Sequence, residues 1–475
     1  MARLPTIGET NWGSILNEFL NQSHNTDGSL KGVLNVTNVK DYGAKGDGVT
    51  DDTAAINNAL NVAAASKPDF PNPLSRIIYF PSGKYMVSQI VIPDQSGYEL
   101  ILQGNYIGSQ IVQIDNNGGK DMIITEAGFA TQNNQQFNAG LSNHTFRDLT
   151  FIGHYLGGNC LHINNIGGLQ IERCKIIGAG NQSALLRLRR VIKATINILS
   201  LSGAKFYSSS QTKDNCAKHG IWIGDAIDNG DNTNLWFSNI FAENLQTNRG
   251  FPNGHAIFID GTDDAEGEAN RTGGTTFQNM KWDGIECPEA AVKILDASNI
   301  TFINSGFEFR TGFIGAGGTG ANTSSYHIEN SSLIYGDRSS AGHPSKNGVA
   351  LNIINSHTIE WSNCTLRGYV TGTITGAIRI NGTSDHIILN NCNFSENIII
   401  KENDVVKTNL ELYPKLIISN CREINNNSIP PSSNDPLKGL VAKYNNVPYI
   451  IKSPNGTRYK LSVDNSGNLS AQPVT

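Results

Sequence analysis

The segment Phe146-Arg-Asp-Leu-Thr-Phe-Ile-Gly153 decides the fold, because its pattern returns twice at a fixed spacing. The copies are Ile171-Glu-Arg-Cys-Lys-Ile-Ile-Gly178 and Ile196-Asn-Ile-Leu-Ser-Leu-Ser-Gly203. Their central residues, Leu149, Cys174 and Leu199, are separated by 25 and 25 residues. The alternation of apolar and polar residues indicates a strand with one inward face, and repetition at about 20 to 50 residues is typical of solenoids.

The same central slot continues through the rest of the chain. It is filled by Ile240, Met280, Ser305, Ser331, Cys364, Cys392 and Cys421. From Leu199 onward the spacings are about 41, 40, 25, 26, 33, 28 and 29 residues, so two turns carry extra material. Strands stacked about 4.8 Å apart would bring like residues into ladders inside a tube, where the slot cysteines act as small hydrophobes and the asparagines before them pair through their amides. The pattern predicts an all-β solenoid, whereas a sandwich of unrelated strands would show no fixed period.

The composition fits a chain of many short strands and turns. The 475 residues include 49 glycines, and only 16% are charged, against about 25% in typical soluble domains. With a net charge of −5 and no basic stripe, we expect no nucleic acid partner; the short cluster Arg187-Leu-Arg-Arg190 is interpreted as a solvated face. Seven cysteines without metal-ligand spacing argue against a zinc site. No segment has the length of a signal peptide or of a membrane span, so we expect no membrane insertion.

The first end of the tube needs a cover, because unpaired strand edges invite aggregation. The segment Asp51-Asp-Thr-Ala-Ala-Ile-Asn-Asn-Ala-Leu-Asn-Val62 predicts a short amphipathic helix that begins with good capping residues. We therefore assign Asp47, Asp51 and Asp52 to the helix cap and the preceding turn, not to catalysis.

Two motifs around this helix resemble a known family. They are Val39-Lys-Asp-Tyr-Gly-Ala-Lys-Gly-Asp-Gly-Val-Thr-Asp-Asp-Thr-Ala-Ala-Ile56 and Ile78-Tyr-Phe-Pro-Ser-Gly-Lys-Tyr85, and they resemble the opening segment of the pectate-lyase-like superfamily. That resemblance implies a right-handed, single-stranded parallel β-helix over residues 35–430, capped by the short N-terminal helix. The fold leaves the chemistry open, since lyases, hydrolases, epimerases and non-catalytic binders share it.

Both ends of the chain point to a context. Residues 3–30 resemble a leader of phage tail-associated proteins and predict a helix through Trp12, Ile15, Leu16 and Phe19. We expect residues 1–34 to attach the protein to a phage tail or baseplate. Residues 431–475 are expected to form a linker and a small β-hairpin turning at Asn465-Ser-Gly467. Tailspikes of this type are usually homotrimers, which implies a homotrimer on the virion tail; the alternative is a secreted protein.

The two enlarged turns, between Leu199 and Met280, suggest where chemistry is located, because insertions in a solenoid mark a working face. A glycosidase needs two carboxyl groups, and sugars stack on aromatic rings. The catalytic candidates are Asp225, Asp228, Asp260, Asp263, Glu286 and Glu308. The substrate-binding candidates are Trp222, Trp236, Arg249, His255, Trp282 and Arg310.

A lyase remains an alternative to a hydrolase. Its base could come from Lys218, His219, Arg249, His255 or Arg271. No cofactor is expected for a hydrolase, whereas a lyase could use Ca²⁺ held by Asp260, Asp263 and Asp264.

The sequence thus predicts a phage tailspike-like protein that binds and depolymerises a polysaccharide of a bacterial surface. The alternatives are a non-enzymatic receptor-binding or structural spike and a bacterial extracellular enzyme of the same superfamily.

Overall fold

The computed structural model describes part of the chain. The described residues are 8–23, 36–65, 76–93, 99–114, 118–125, 143–203, 217–224, 232–243, 254–261, 272–285, 291–309, 313–316, 324–336, 349–354, 356–369, 377–381, 386–395, 399–402, 405–406, 416–419, 422–424, 450–452, 458–463 and 469–473. The chain divides into two compact units, which we call the N-terminal unit (Met1–Ser200) and the C-terminal unit (Leu201–Thr475).

Up to Ser202 the described chain holds two α-helices, two short 3-10 helices and fourteen strands. The helices are α1 (Trp12–Ser23) and α2 (Thr53–Ala65), and the 3-10 helices are Val39–Tyr42 and Tyr106–Gly108. The strands are β1 (Val36–Asn38), β2 (Asp47–Asp51), β3 (Arg76–Tyr79), β4 (Gly83–Val87), β5 (Ile90–Ile92), β6 (Glu99–Gln103), β7 (Ser109–Gln113), β8 (Ile123–Thr125), β9 (Asn143–Arg147), β10 (Thr150–Ile152), β11 (Leu161–Ile166), β12 (Gly168–Ile177), β13 (Ala184–Val191) and β14 (Ala194–Ser202).

The described remainder of the chain contains strands only. They are β15 (His219–Gly224), β16 (Asn232–Glu243), β17 (His255–Asp260), β18 (Thr272–Gln278), β19 (Lys281–Ile285), β20 (Val292–Leu295), β21 (Ser298–Ile303), β22 (Gly306–Phe309), β23 (Phe313–Ala316), β24 (Ser324–Glu329), β25 (Ser332–Gly336), β26 (Val349–Ile354), β27 (Ser356–Ser362), β28 (Thr365–Tyr369), β29 (Ala377–Asn381), β30 (Ile387–Asn390), β31 (Asn393–Ser395), β32 (Ile399–Glu402), β33 (Val405–Val406), β34 (Leu416–Ser419), β35 (Arg422–Ile424), β36 (Ile450–Lys452), β37 (Arg458–Val463) and β38 (Leu469–Pro473).

Each turn of the N-terminal unit contributes strands to three parallel ladders. The first ladder is β1–β3–β6–β9–β12, the second is β2–β4–β7–β10–β12, and the third, which we call the outer-site sheet, is β5–β8–β11–β13. The chain therefore winds round and returns beside itself. This confirms the predicted parallel β-helix.

The C-terminal unit repeats the arrangement. Its ladders are β16–β18–β21–β24–β27–β30–β34, β16–β19–β22–β25–β28–β31–β35 and β15–β17–β20–β23–β26–β29–β32, all parallel. Near the end of the chain, β37 and β38 pair antiparallel on either side of the predicted turn, and β36 adds a third strand to that hairpin. The turn itself and the predicted linker lie outside the described residues.

The slot residues line the core, as the repeat predicts. Leu149 and Cys174 are at most 1% exposed, and so are Cys364 and Cys392; Cys421 lies outside the described residues. Cys364 and Cys392 occupy neighbouring turns, since the amide of Asn393 donates to the Cys364 carbonyl at 2.8 Å. Their thiols donate to backbone carbonyls, Cys392 Sγ to Trp361 O at 3.2 Å, so these cysteines pack as small core residues.

The residue before each slot turns the corner between two strands. Its φ is positive, for example 57° at Asp148 and 56° at Asn363, a conformation that asparagine and aspartate tolerate well. The amides of these asparagines do pair, with Asn391 Nδ2 donating to Asn363 Oδ1 at 2.7 Å. The pairing lies on the exposed side of the corner and not inside the tube, because the turn points the asparagine outward when the next residue points inward.

Helix α2 has the predicted capping role within the N-terminal unit. Asn57 bonds the exposed edge of β5, accepting from Val91 N at 3.0 Å and donating to Gln89 O at 3.1 Å. The guanidinium of buried Arg76 donates to the last carbonyls of the helix, at Ala63 and Ala64. These bonds satisfy groups that a helix end and a strand edge would otherwise leave unpaired.

The carboxylates before α2 have the structural role that the sequence predicts. Asp52 accepts from the amides of Lys45 and Gly46 at 2.6 and 2.9 Å, which orders the turn. Asp47 accepts from Thr50 N at 2.8 Å, and its backbone hydrogen bonds lower its pKa to about 2. Asp51 accepts from Thr53 N at 3.0 Å at the start of the helix.

Candidate active site

Half of the predicted catalytic and substrate-binding residues lie outside the described residues. These are Asp225, Asp228, Asp263, Glu286, Arg249 and Arg310, and the lyase and calcium candidates Arg271 and Asp264 lie outside as well. The backbone of Glu308 belongs to β22 and is in register with Ile334 of β25. The structure does not describe its side chain. The roles proposed for these residues stay predictions.

Two predicted sugar-binding residues are buried. Trp282 is 1% exposed, because it takes the inward position of β19 in register with buried Phe307. His255 is also 1% exposed, and its ring stacks on that of His219 at 5.5 Å between centroids. Both side chains are buried in this structure, and their proposed sugar-binding roles stay predictions.

The other described candidates lie on β15, β16 and β17. Trp222 is half-buried, with its ring 5.8 Å from that of Phe258. Asp260 ends β17 and is 7% exposed. Trp236 is 44% exposed on β16 and is available to a ligand. Among the described residues no group of three or more His, Cys, Asp or Glu side chains could hold a metal ion.

A different cluster has the geometry of a proton-transfer site, and it lies on the outer-site sheet of the N-terminal unit. His162 of β11 points away from the core, since Leu161 and Ile163 on either side of it are fully buried on the inner face. Its Nδ1 lies 2.7 Å from Oδ2 of Asp121, just before β8. The His162 side chain is 9% exposed and that of Asp121 16%, so the pair is largely shielded from water.

Asp121 is fixed as an ionised acceptor. Its Oδ1 accepts from the backbone amide of Asn159 at 2.6 Å and from Asn159 Nδ2 at 2.9 Å. Burial alone would raise the pKa of Asp121, but the hydrogen bond and charge of His162, together with Asn159, outweigh burial and lower it. A carboxylate can only accept, so Nδ1 of His162 carries a proton, and whenever the ring is neutral its lone pair is on Nε2.

That Nε2 atom is buried and has no hydrogen-bond partner in the part of the chain that the structure describes. The same holds for Oδ1 of Asn164, two residues along the outer side of β11. The backbone of Asn164 is fixed, because its amide donates to Thr125 Oγ1 at 2.7 Å and its carbonyl accepts from the same hydroxyl at 2.8 Å. Leaving a buried polar atom unpaired costs about 1–3 kcal/mol, so two on one surface point to groups that a ligand completes.

Arginines line the next strand. Arg187 of β13 is in register with His162, and Arg189 with Asn164. These arginines and Arg190 are half-buried, and burial lowers the pKa of Arg190. The basic cluster is therefore only partly solvated, and its outer residues Arg187 and Arg189 lie on the strand next to His162 and Asn164.

Close packing positions Asp121 and His162, which we call the dyad. A Cβ on Gly158 would overlap Oδ1 of Asp121 and lie 2.7 Å from its amide nitrogen. The Gly158 amide donates to Lys120 O at 2.8 Å, and its carbonyl accepts from Gly180 N at 2.8 Å. Only a residue without a side chain lets this loop approach Asp121 so closely.

The arrangement is suited to acid–base chemistry and not to calcium. Calcium takes about six to eight oxygen ligands. The described part of this cluster offers one carboxylate, and His162 and Asn159 already occupy its oxygens. An imidazole oriented by a carboxylate can instead accept a proton at Nε2 and be stabilised as imidazolium.

Sequence reasoning missed this cluster because it searched the enlarged turns. The signal was available in the repeat itself, since His162 and Arg187 are 25 residues apart, the spacing of Leu149, Cys174 and Leu199. Residues one repeat apart become neighbours on adjacent strands. Asp121 could not have been found in this way, because it precedes its strand.

A family comparison agrees with this architecture. Residues 36–261 match the family model described as rhamnogalacturonase A/epimerase, pectate lyase-like, and this range includes every residue of the cluster.

Individual proteins resemble shorter or more distant parts. Mannuronan C5-epimerase AlgE4 of Azotobacter vinelandii is 32% identical over 122 residues, which is 25% of this chain and 19% of that protein. A glucan 1,3-beta-glucosidase of Cochliobolus carbonum is 45% identical over 58 residues, 12% of this chain and 7% of that protein. The chain thus spans less than a fifth of the curated relatives it matches. The solved structure of ORF18 of Geobacillus virus E2 aligns with a TM-score of 0.48 at 16% identity, over 91% of this chain and 68% of that one. Residues 36–261 thus match a pectate-lyase-like family model, and the stacked parallel ladders agree with that match.

Proposed function

We propose that the protein binds an acidic polysaccharide and acts on it by abstracting a proton with His162. The observation that carries the proposal is the imidazole itself: Asp121 holds its Nδ1 at 2.7 Å, and its Nε2 is buried and unpartnered. A base prepared in this way needs only a substrate proton placed at Nε2.

The chemistry suits a uronate residue. Nε2 takes the proton from the carbon next to the uronate carboxylate, the electron pair left there forms a C=C bond, and the bond to the neighbouring glycosidic oxygen breaks. The departing oxygen takes a proton from solvent. Arg187 and Arg189 place positive charge next to the base, which favours an anionic substrate, and Asp121 stabilises the imidazolium. Return of a proton to the opposite face of the same carbon would give epimerisation instead.

The comparisons support this reaction class as far as their names go. The matching family is named for a rhamnogalacturonase and an epimerase, and one relative is named for epimerising mannuronan, a polymer of uronates. Each name describes that protein, and each supports a uronate polymer as the first substrate to test.

Hydrolysis is the second candidate, since another relative is named a glucan glucosidase. A glycosidase needs two carboxyl groups about 5 to 10 Å apart, and the described part of the cluster supplies Asp121 alone. The pair would have to come from the candidates Asp225, Asp228, Asp260, Asp263, Glu286 and Glu308.

We further propose that the protein works as a homotrimeric tailspike on a virion, with a bacterial surface polysaccharide as its substrate. The resemblance of residues 3–30 to a tail-associated leader supports this context. Helix α1 has the predicted position, and Trp12 is 52% exposed on it, as an attachment segment would require. Sedimentation equilibrium of the full chain tests the trimer: a monomer at micromolar concentration would contradict it. Turnover without virion association would favour a secreted enzyme, and binding without turnover a receptor-binding spike.

The activity is tested with the full chain on mannuronan, polygalacturonate, rhamnogalacturonan and a bacterial capsule panel. We expect new unsaturated uronates from at least one polymer, and loss of roughly 10²–10⁴-fold in rate for His162→Gln. His386→Asn is the matched control, because His386 is exposed and has a φ of 51°, which asparagine tolerates. New reducing ends without unsaturation would favour the hydrolase, and unchanged turnover in His162→Gln would overturn the role of the base.

A further inference from the structure

The C-terminal unit carries a row of outward side chains along neighbouring strands. Register places Trp236 of β16 beside Thr276 of β18, then Thr301 of β21, His327 of β24 and Glu360 of β27. Since parallel strands lie about 4.8 Å apart, each turn adds one side chain to this row. We call the first three residues, Trp236, Thr276 and Thr301, the tryptophan strip.

The strip faces solvent over a rigid inner wall. Trp236 is 44% exposed, whereas the neighbouring Phe237 is fully buried. The inner phenylalanines stack, Phe237 on Phe277 at 4.6 Å and Phe277 on Phe302 at 4.8 Å between centroids. This stack holds the strands in register. The outer side chains therefore keep the same spacing whether or not a ligand is bound.

The strip also offers unused hydrogen-bonding groups. In the part of the chain that the structure describes, the hydroxyls of Thr276 and Thr301 have no hydrogen-bond partner. The charged residues beyond the strip pair with one another, His327 Nδ1 lying 3.4 Å from Glu360 and Nε2 3.7 Å from Glu329. The strip itself is therefore uncharged.

An exposed indole followed by free hydroxyls at a fixed step has the chemistry that recognises carbohydrate. The indole can cover the apolar face of a pyranose ring, and the hydroxyls can pair with ring substituents. A second copy of the chain would be expected to cover a wider apolar patch, whereas here one aromatic side chain stands among polar neighbours. An acidic sugar would gain nothing from an uncharged strip with the carboxylates of Glu329 and Glu360 beyond its end.

We propose that the tryptophan strip binds neutral sugar residues of an extended polysaccharide lying across the strands, one residue for each turn of the helix. The inference shares with the proposed function only the class of ligand. It adds a second, non-catalytic contact for polysaccharide.

The test is affinity electrophoresis of the full chain in gels that contain a neutral polymer, a soluble β-1,3-glucan or a galactomannan, at low and high salt. We expect retention by at least one polymer that is nearly independent of salt, since no charge pair is formed. Trp236→Ala should weaken it about tenfold or more, as removal of a central aromatic contact does. Phe241→Ala is the matched control, since it removes an exposed aromatic ring from the same strand outside the strip.

Three outcomes would contradict sugar binding by the strip. Equal retention of Trp236→Ala and the wild type, or no retention of the wild type by either polymer, would overturn the strip. So would a change in the oligomeric state of Trp236→Ala, because it would mean that another copy covers the indole. The role of His162 as the base is measured separately, by the turnover of His162→Gln. Loss of the proposed sugar binding by the strip would therefore leave the proposed function intact, and loss of the proposed function would leave the strip intact.

Discussion

The outer faces of two sheets show how one backbone repeat presents two kinds of surface. On β11 the outward residues His162 and Asn164 are at most 7% exposed and keep unpartnered polar atoms, whereas on β16 the outward Trp236 is 44% exposed. In both places the inward neighbours are buried apolar residues, so the strand pattern alone does not separate the two faces. The two faces differ in how far their side chains are shielded from water. A buried, oriented imidazole can act on a proton, whereas an exposed ring beside free hydroxyls can only bind.

The largest expected effect sets the two regions against each other kinetically. His162→Gln should lower kcat by roughly 10²–10⁴-fold, because it removes the acceptor of the proton. Trp236→Ala should act on KM for the polymer, because it removes a contact that is the same in ground and transition states. Steady-state kinetics on one polymer measures both. A kcat effect from Trp236→Ala as large as that from His162→Gln would erase the distinction.

A second buried histidine extends the comparison to the inner face of the N-terminal unit. His144 of β9 is 3% exposed, in register with the core residues Leu100 and Leu169, and its Nδ1 has no hydrogen-bond partner. Burial lowers its pKa to about 4, against 6.5 in the unfolded chain. The folded state therefore keeps this ring neutral, and stability is full above pH 6.5 and is lost as the pH falls toward 4.

We expect this histidine to reduce the free energy of unfolding by roughly 2 kcal/mol between pH 7 and pH 5. His144→Leu should remove that part of the pH dependence, because leucine matches its ladder neighbours and does not titrate. Urea denaturation at both pH values is the measurement, with His386→Asn as a control that keeps the wild-type dependence. An unchanged pH dependence in His144→Leu would show that His144 is not the source.

The packing around the dyad can be disturbed without touching the dyad. Gly158→Ala places a methyl group against Asp121, so either the loop or the carboxylate must move, at a cost of about 1–3 kcal/mol. We expect turnover to fall while the fold persists, measured by kcat together with circular dichroism. Gly13→Ala is the control, because a Cβ there would meet nothing within 4 Å. Full turnover in Gly158→Ala would mean that the position of Asp121 does not matter.

The smallest effect concerns one hydroxyl of the tryptophan strip. Thr301→Val keeps the shape of the side chain and removes its hydrogen-bonding group, which is worth about 0.5–1.5 kcal/mol. We expect polymer affinity to drop by up to about tenfold with no change in thermal stability. Thr37→Val gives the control on another strand. A loss of stability without a loss of affinity would assign Thr301 to the fold alone.

The sequence predicted the fold because the fold is periodic. Spacing, alternation and capping chemistry act locally. They were enough to predict the buried slot residues, helix α2 and the structural role of Asp52. The prediction that the asparagine pairs lie inside the tube failed, since the positive φ that turns each corner also sends that side chain outward.

The candidate site was harder to predict because it depends on contacts between turns. Trp282 looked like a sugar-binding ring, but its inward register on β19 buries it. His162 looked like any polar residue of a strand. Its significance comes from Asp121, 41 residues earlier, and neither composition nor strand periodicity relates those two positions.

The most direct test of the central claim is the turnover of Asp121→Asn. The two side chains have nearly the same shape, but an amide can donate to Nδ1 and would then leave the proton on Nε2, where the lone pair is needed. We predict that this variant folds and binds polymer like the wild type and loses most of its turnover. Wild-type turnover in Asp121→Asn would contradict the assignment of His162 as a base oriented by Asp121.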